Sequence, residues 1–388
     1  MAELARTLAA ASSSADLPWD LAQPARIPVA RPRLAPVEAA LPYLRRIDEA
    51  QLYSNFGPLN AELEARLAAR FGLAAGCVVT CANATLGLTL ALQRAAAAGG
   101  TCCLMPAWTF AATAHAALAA GLTPVLADVD PATGALTPDL AQAAAEHATG
   151  PVAAVVPVAP FGLPLDLAAW AEFERRTGIA VVLDAAAGFD ALRPAALAAV
   201  VSLHATKILG IGEGGFIVSR DQEAIVDLRR RSNFGFNGRR DAELAGANGK
   251  ISEYAAAFGL AALDLWPARR AQHQAVLGYY RAGLADAPGL SFAPGLGEAW
   301  VCSTCNIEAE AEAVLEIEAE LAAAGIATRR WWGRGLQGHQ AFARLPRAPL
   351  PITEALAART LGLPCWPEAP RAALDEVIAI VRRVLGAC

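Results

Sequence analysis

Between residues 77 and 183 the chain repeats one rhythm. Short apolar runs, CVVTC (77–81), CCLM (102–105), TPVLA (123–127), VAAVVPV (152–158) and IAVVL (179–183), alternate with longer stretches. In those stretches, at 85–98, 109–120, 137–146 and 165–177, apolar residues recur every three or four positions. The first period is that of strands buried on both faces and the second that of helices packed against them. A helix also precedes the series, over 60–71, with Asn60 as its expected cap, Glu62 and Glu64 in its first turn and Gly72 at its stop. Together these elements predict an α/β fold around a mainly parallel sheet.

After Asp184 the rhythm changes. VVSLH (200–204) and GFIVS (215–219) read as neighbouring strands joined by a glycine-rich segment. A helix over 221–231 ends in three arginines, which suits the negative end of its dipole. Another runs from Ile251 until Pro267 interrupts it. The tail mixes helices over 309–324, 353–361 and 369–385 with one or two short strands. The expected organisation is a loosely ordered arm over 1–35, a large α/β domain over 36–267 and a smaller α+β domain over 268–388.

Charge narrows the function. The net charge is -5, so no basic footprint points to nucleic acid or an anionic membrane. Between Arg70 and Asp128 the only formal charge is Arg94, a scarcity that a membrane hairpin would share. Gly, Pro, Thr, Asn and His break those runs every few residues, which favours the core of an α/β fold. The start of the chain lacks a positive region followed by an apolar run, so no secretory signal is expected. The eight cysteines are scattered, with one lone C-x-x-C at Cys302–Cys305. That spacing predicts reduced thiols in a cytoplasm and no metal site.

The basic residues carry the sharpest signal. Of 32 in the chain only Lys207 and Lys250 are lysines, and the rest are arginines. Arginine stays protonated, whereas a lysine can lose its proton in an apolar site and attack a carbonyl. Lys207 lies in SLHATKILGIGEGG (202–215), where Gly210, Gly212 and Gly215 match a dinucleotide fingerprint. Such a fingerprint opens into a helix. Here Gly215 opens into the β-rich Phe-Ile-Val-Ser, so the glycines read as a tight connection between strands.

If Lys207 forms an imine with pyridoxal phosphate, other residues must serve that cofactor. Asp184 ends a very apolar strand and either enters the ligand crevice of the sheet or caps a turn. Asn83, Ala84 and Thr85 stand where a strand meets a helix, suited to an anion or to a plain cap. Phe110, in PAWTF, could stack on a ring or lie in the core. His204, Gly57 and the Arg329–Arg330–Trp331–Trp332 run are weaker signals, each as well explained by packing or a turn.

Assembled in order, the blocks SNFGPLNAELEARLAARFG, NATLGLTLAL, MPAWTFAATAHAALAAGLTPVLADVD, VVLDAAAGFDAL, SLHATKILGIGEGGFIVS, RSNFGFNGR and ISEYAAAFGLAALD make the chain resemble the DegT/DnrJ/EryC1/StrS family of pyridoxal-phosphate sugar aminotransferases over about residues 40–385. The resemblance implies a fold-type I transferase, a homodimer with shared active sites, and an amino group passed from glutamate to a nucleotide-linked keto-sugar. It implies that Lys207 is the Schiff-base lysine and that Asp184 binds the pyridine nitrogen. It implies that Ala84, Thr85 and Ser202 hold the phosphate, that Phe110 stacks on the ring, and that Asn233 reaches the phosphate of the partner subunit. The pattern departs at Ala187, where the family often has Gln or His near the cofactor's phenolic oxygen, and at Ala84, usually Gly. Two rival readings stay open: a regulatory protein on the same fold, and a sugar dehydratase, whose members carry His where Lys207 stands.

Overall fold

The computed structural model describes residues 25–387. Its seven-stranded sheet has the order β1-β7-β6-β5-β4-β2-β3. These strands are β1 (Val78–Cys81), β2 (Cys102–Pro106), β3 (Thr123–Ala127), β4 (Val152–Val155), β5 (Ala180–Asp184), β6 (Ala198–Ser202) and β7 (Gly215–Val218). Strands β3, β2, β4, β5 and β6 run parallel to one another, and β7 is antiparallel to both β6 and β1. The charge-poor stretch after Arg70 is therefore sheet and covering helix. Among the described residues no helix is long and apolar enough to cross a membrane.

Alternation along each strand explains why these runs are apolar throughout. On β2 Cys102 and Leu104 join one core and Cys103 and Met105 the other, and on β7 Phe216 and Val218 face away from Ile217. Both faces are covered. One carries α1 (Val37–Ala50), α2 (Pro58–Arg70), α5 (Pro138–Ala144), α6 (Leu167–Thr177), α8 (Glu253–Asp264) and α9 (Trp266–Gly283). The other carries α3 (Ala84–Ala96), α4 (Ala111–Ala119) and α7 (Gln222–Arg231). A second, three-stranded antiparallel sheet has the order β10-β9-β8, built from β8 (Ser291–Phe292), β9 (Cys305–Glu308) and β10 (Thr360–Leu363). Helices α10 (Ala311–Ala323), α11 (Pro351–Arg359) and α12 (Arg371–Val384) accompany it.

Several elements differ from the sequence reading. Asn60 does not cap α2. Gly57 does so by position, with Pro58 in the first turn, and Asn60 lies buried inside the helix. There its side chain accepts the Thr80 hydroxyl at 2.6 Å and donates to Glu64 at 3.2 Å. Pro267 does not end a long helix. It is the second residue of α9, which a single residue separates from α8, because proline fits the first turn where no intrahelical N–H bond is needed. The helix read over 353–361 ends at Arg359, and the last two residues belong to β10.

Helix α1, with Pro42 inside it, was not legible as a helix. Of the arm expected over 1–35, residues 1–24 lie outside the described residues. The rest is fixed in place: Ile27 bridges Ile326, the Val29 carbonyl accepts the Cys365 N–H at 3.0 Å, and Arg269 donates to the Leu34 carbonyl at 2.6 Å.

Candidate functional site

The lysine stands on a short loop between two antiparallel strands. Ser202 ends β6, Gly215 opens β7, and the two are register partners. Between them the loop folds back on itself. Leu203 N–H donates to the Gly214 carbonyl at 2.9 Å, Ile211 N–H to Leu203 at 2.8 Å and Ala205 N–H to Gly212 at 2.7 Å. The Lys207 N–H closes the innermost turn onto the His204 carbonyl at 2.8 Å. Gly212 has a φ of 104°, which glycine adopts without a steric penalty. The His204 ring pairs with the Thr206 hydroxyl at 2.8 Å within the same turn.

Asp184 ends β5 beside this loop and is 5% exposed. Its Oδ2 accepts the Thr113 hydroxyl at 2.8 Å and its Oδ1 the Ala186 N–H at 3.1 Å. Burial pushes its carboxyl above the ordinary carboxylate range, against these two bonds and the attraction of Lys207. The half-buried Lys207 answers in the opposite sense. Burial lowers its ammonium pKa, while Asp184 and the buried Cys302 hold it up. A carboxylate and a lysine that both lean toward neutrality, at the carboxyl edge of a parallel sheet, mark a chemical centre.

The start of α3 forms the neighbouring wall. Asn83 caps it by accepting the Leu86 N–H at 2.9 Å, and Ala84 and Thr85 are its first two residues. Their N–H groups have no acceptor within the helix and share the positive end of its dipole. Gly215 brings this turn against the sheet. A Cβ there would stand 2.9 Å from the Ala84 nitrogen and 3.0 Å from the Val201 carbonyl oxygen, so only glycine allows the approach. Gly215 is also the register partner of both Cys81 and Ser202. Ser202, Gly215 and the Ala84 turn thus lie abreast, and the Ser202 N–H ties the row to the Ala186 carbonyl at 3.2 Å.

Phe110 precedes α4 and its ring is 60% exposed, which places it outside the core. Asn233 follows α7 in a partly exposed loop bridged to Asn248. Ala187 sits under the Phe161–Gly162 turn, where a Cβ on Gly162 would lie 2.7 Å from the Ala187 carbonyl oxygen. Phe161, at a φ of 51°, stacks on Trp332 with ring centroids 4.0 Å apart, and Trp108 meets both edge-on. The Arg–Trp run thereby contributes an aromatic cluster. Arg330 binds Glu318 at 3.0 Å, and Arg329 lies over Trp331.

Gly57 packs closely against α8. The Glu253 carboxylate fills the space where its side chain would be. Sequence reasoning missed Thr109 and Thr113, whose hydroxyls are 2.9 Å apart and lead to Asp184. Their spacing of four, on either side of Phe110, was the available signal. Among the described residues no group of three or more His, Cys, Asp or Glu side chains could hold a metal ion.

Residues 37–382 match the model of the DegT/DnrJ/EryC1/StrS aminotransferase family. A dTDP-4-amino-4,6-dideoxy-D-glucose transaminase from Shigella dysenteriae is 32% identical over 270 residues, covering 68% of this chain and 71% of that protein. DesI, solved in the presence of its TDP-sugar product, shares 34% identity with a TM-score of 0.82 over 94% of each chain. A Bacillus cereus protein described as a PLP-dependent aminotransferase superposes with a TM-score of 0.86 at 31% identity, over 92% of this chain and 99% of its own. The site at the carboxyl edge of the sheet, the fold around it and these likenesses agree: the chain belongs to the DegT/DnrJ/EryC1/StrS aminotransferase family.

Proposed function

We propose that the protein is a pyridoxal-phosphate-dependent aminotransferase that moves an amino group from an amino acid, glutamate in this reading, to a nucleotide-linked keto-sugar. One observation carries the proposal. One of only two lysines in the chain stands beside a buried aspartate at the carboxyl edge of a parallel sheet, and each influences the other's charge. The residues fit the cofactor. Lys207 would hold its aldehyde carbon, Asp184 its ring nitrogen, and Ser202 with the first N–H groups of α3 its phosphate. Phe110, exposed although aromatic, would cover one face of the ring.

Bound pyridoxal phosphate supplies an electron-poor ring that accepts the electron pair left when a substrate C–H bond breaks. Lys207, with its pKa lowered by burial, is suited to take that proton from the substrate's α-carbon and return one to the cofactor's side of the bond. Asp184 keeps the ring nitrogen protonated. Its neighbours Ala185, Ala186 and Ala187 offer no competing polar side chain.

In this reading the protein works as a homodimer, with Asn233 reaching the phosphate of the neighbouring site. Exposed aromatics support such an interface: Tyr53 and Tyr254 stack with centroids 6.3 Å apart, and Phe234 follows Asn233 directly. We also propose the division into a cofactor-binding unit over 36–267 and a smaller unit over 268–388.

The test is an absorbance spectrum of the purified protein with pyridoxal phosphate, before and after glutamate. The expected result is a visible band that shifts as 2-oxoglutarate appears, with both lost in Lys207→Ala. Cofactor uptake without 2-oxoglutarate release would instead indicate a regulatory protein. A Lys207→Ala protein that kept both the band and transamination would overturn the proposal.

A further inference from the structure

We propose that Thr113, backed by Thr109, is a positioning residue that keeps Asp184 ionised and aimed at the cofactor's ring nitrogen. This deepens the reading above and rests on it for the identity of the ring.

The argument begins with hydrogen counting. An ionised carboxylate only accepts, so in the 2.8 Å contact Thr113 must donate its hydrogen to Asp184 Oδ2. A hydroxyl has one hydrogen. The 2.9 Å contact between Thr109 and Thr113 must then run from Thr109 to Thr113. Every hydrogen in the chain Thr109 to Thr113 to Asp184 is used. Now let Asp184 carry a proton on Oδ2. Thr113 would accept from it and donate to Thr109, whose own hydrogen would find no acceptor among the described residues. Thr109 is 1% exposed and Thr113 fully buried, so water offers little relief. A buried donor without a partner is costly. The relay therefore opposes a proton on Oδ2, the Ala186 N–H directed at Oδ1 opposes one there, and together they favour the charged aspartate.

The surroundings make such a device necessary. Asp184 is hemmed in by Leu183 and Ala185 on its own strand, Val158 on one flank and Val200 on the other, all buried and apolar. From helix α4, Thr113 donates a hydrogen bond to it. Lys207 is the one charged group among the described residues that acts on it, with Cys302 beyond Lys207. A ring nitrogen stays protonated only while its partner is a carboxylate. Position adds a second point. Thr109 and Thr113 bracket Phe110, so a single turn of chain sets both the exposed ring and the carboxylate.

Valine matches threonine in shape without the hydroxyl. In Thr113→Val the ring nitrogen loses its proton more readily. The pH midpoint of the lysine-linked cofactor's visible absorbance should then rise by about one unit, because the imine nitrogen no longer has a cationic ring beside it. Thr109→Val should shift it the same way by less, and Thr113→Ser should restore the wild-type midpoint. A second readout needs no cofactor. The Asp184 side-chain carboxyl carbon, followed by NMR in the apoprotein, should titrate at higher pH in Thr113→Val than in wild type.

Midpoints equal to wild type within about 0.2 units in both valine variants, or a Thr113→Ser protein that behaves like Thr113→Val, would overturn the proposal. Were wild type to take up no pyridoxal phosphate, the aminotransferase reading would fail, and the apoprotein titration would still decide whether the relay holds Asp184 ionised. Were Thr113→Val not to fold, the Thr109→Val and Thr113→Ser titrations would decide it in the same way.

Discussion

Two carboxylates, Asp184 and Glu253, are buried alike and do opposite things in the fold. Glu253, in the first turn of α8, is 1% exposed. Its two oxygens accept the backbone N–H groups of Leu59 at 2.7 Å and Asn60 at 2.9 Å, at the start of α2. It is fully committed to joining two helices. Asp184 has one backbone donor and one hydroxyl that itself belongs to a relay, and it faces a lysine. The contrast separates structure from chemistry. A buried acid whose oxygens are taken by backbone holds the fold. A buried acid held partly by a side-chain hydroxyl, with a titratable neighbour, is poised for a ligand.

Exchange of both acids for amides tests the contrast most strongly. Asp184→Asn should abolish detectable transamination while shifting apoprotein stability by no more than about 1 kcal/mol: the NH2 group then faces the Ala186 N–H, but removal of a carboxylate that burial disfavours offsets that loss. Glu253→Gln should do the reverse. One of two backbone donors then faces an NH2 group, and chemical denaturation should show a loss of about 2 kcal/mol with activity per folded molecule retained. A Glu253→Gln protein of wild-type stability would break the distinction.

Gly57→Ala sharpens it from the other side. Its Cβ would stand 2.6 Å from the Glu253 carboxyl carbon, so the pair must part, at a cost of about 1–2 kcal/mol by the same measurement. The smallest effect is on pH dependence. Burial raises the folded-state pKa of Asp184 above its ordinary 3.8, so the folded apoprotein keeps this proton longer than the unfolded chain. Its contribution to stability is therefore greatest at acid pH. It is lost as pH rises from about 3.8 through the raised value. In Asp184→Asn that component should vanish from the difference between stability curves.

How much of this could be read from the chain depended on distance. The alternating strands and helices were legible because periodicity is a local property, and Lys207 and Asp184 were legible because each is anomalous where it stands. One is a lysine in an arginine-rich chain and the other an acid at the end of Ala-Val-Val-Leu. Asn60 was misread because one of its partners, Thr80, reaches it from β1, twenty positions away. Gly57 resembled a loop glycine until Glu253, almost 200 positions away, accounted for it. Thr113 carries only the faint mark of its spacing from Thr109, since a threonine in an alanine-rich helix becomes informative only when a carboxylate lies opposite. The second sheet was only vaguely visible. Its strands are short, and one of them begins where the α11 pattern is still running.

The stitching of residues 27–29 to residues 326 and 365 has a consequence for biosynthesis. Ile27 pairs beside Ile326 and Val29 accepts from Cys365, so this segment finds its partners only after the roughly 300 residues between them have been made. At typical elongation rates that interval is on the order of tens of seconds. The seven-stranded sheet, whose strands are complete by Val218, can assemble in the meantime. The apolar Ile27 and Val29 stay exposed to solvent or to a chaperone until the last strand arrives.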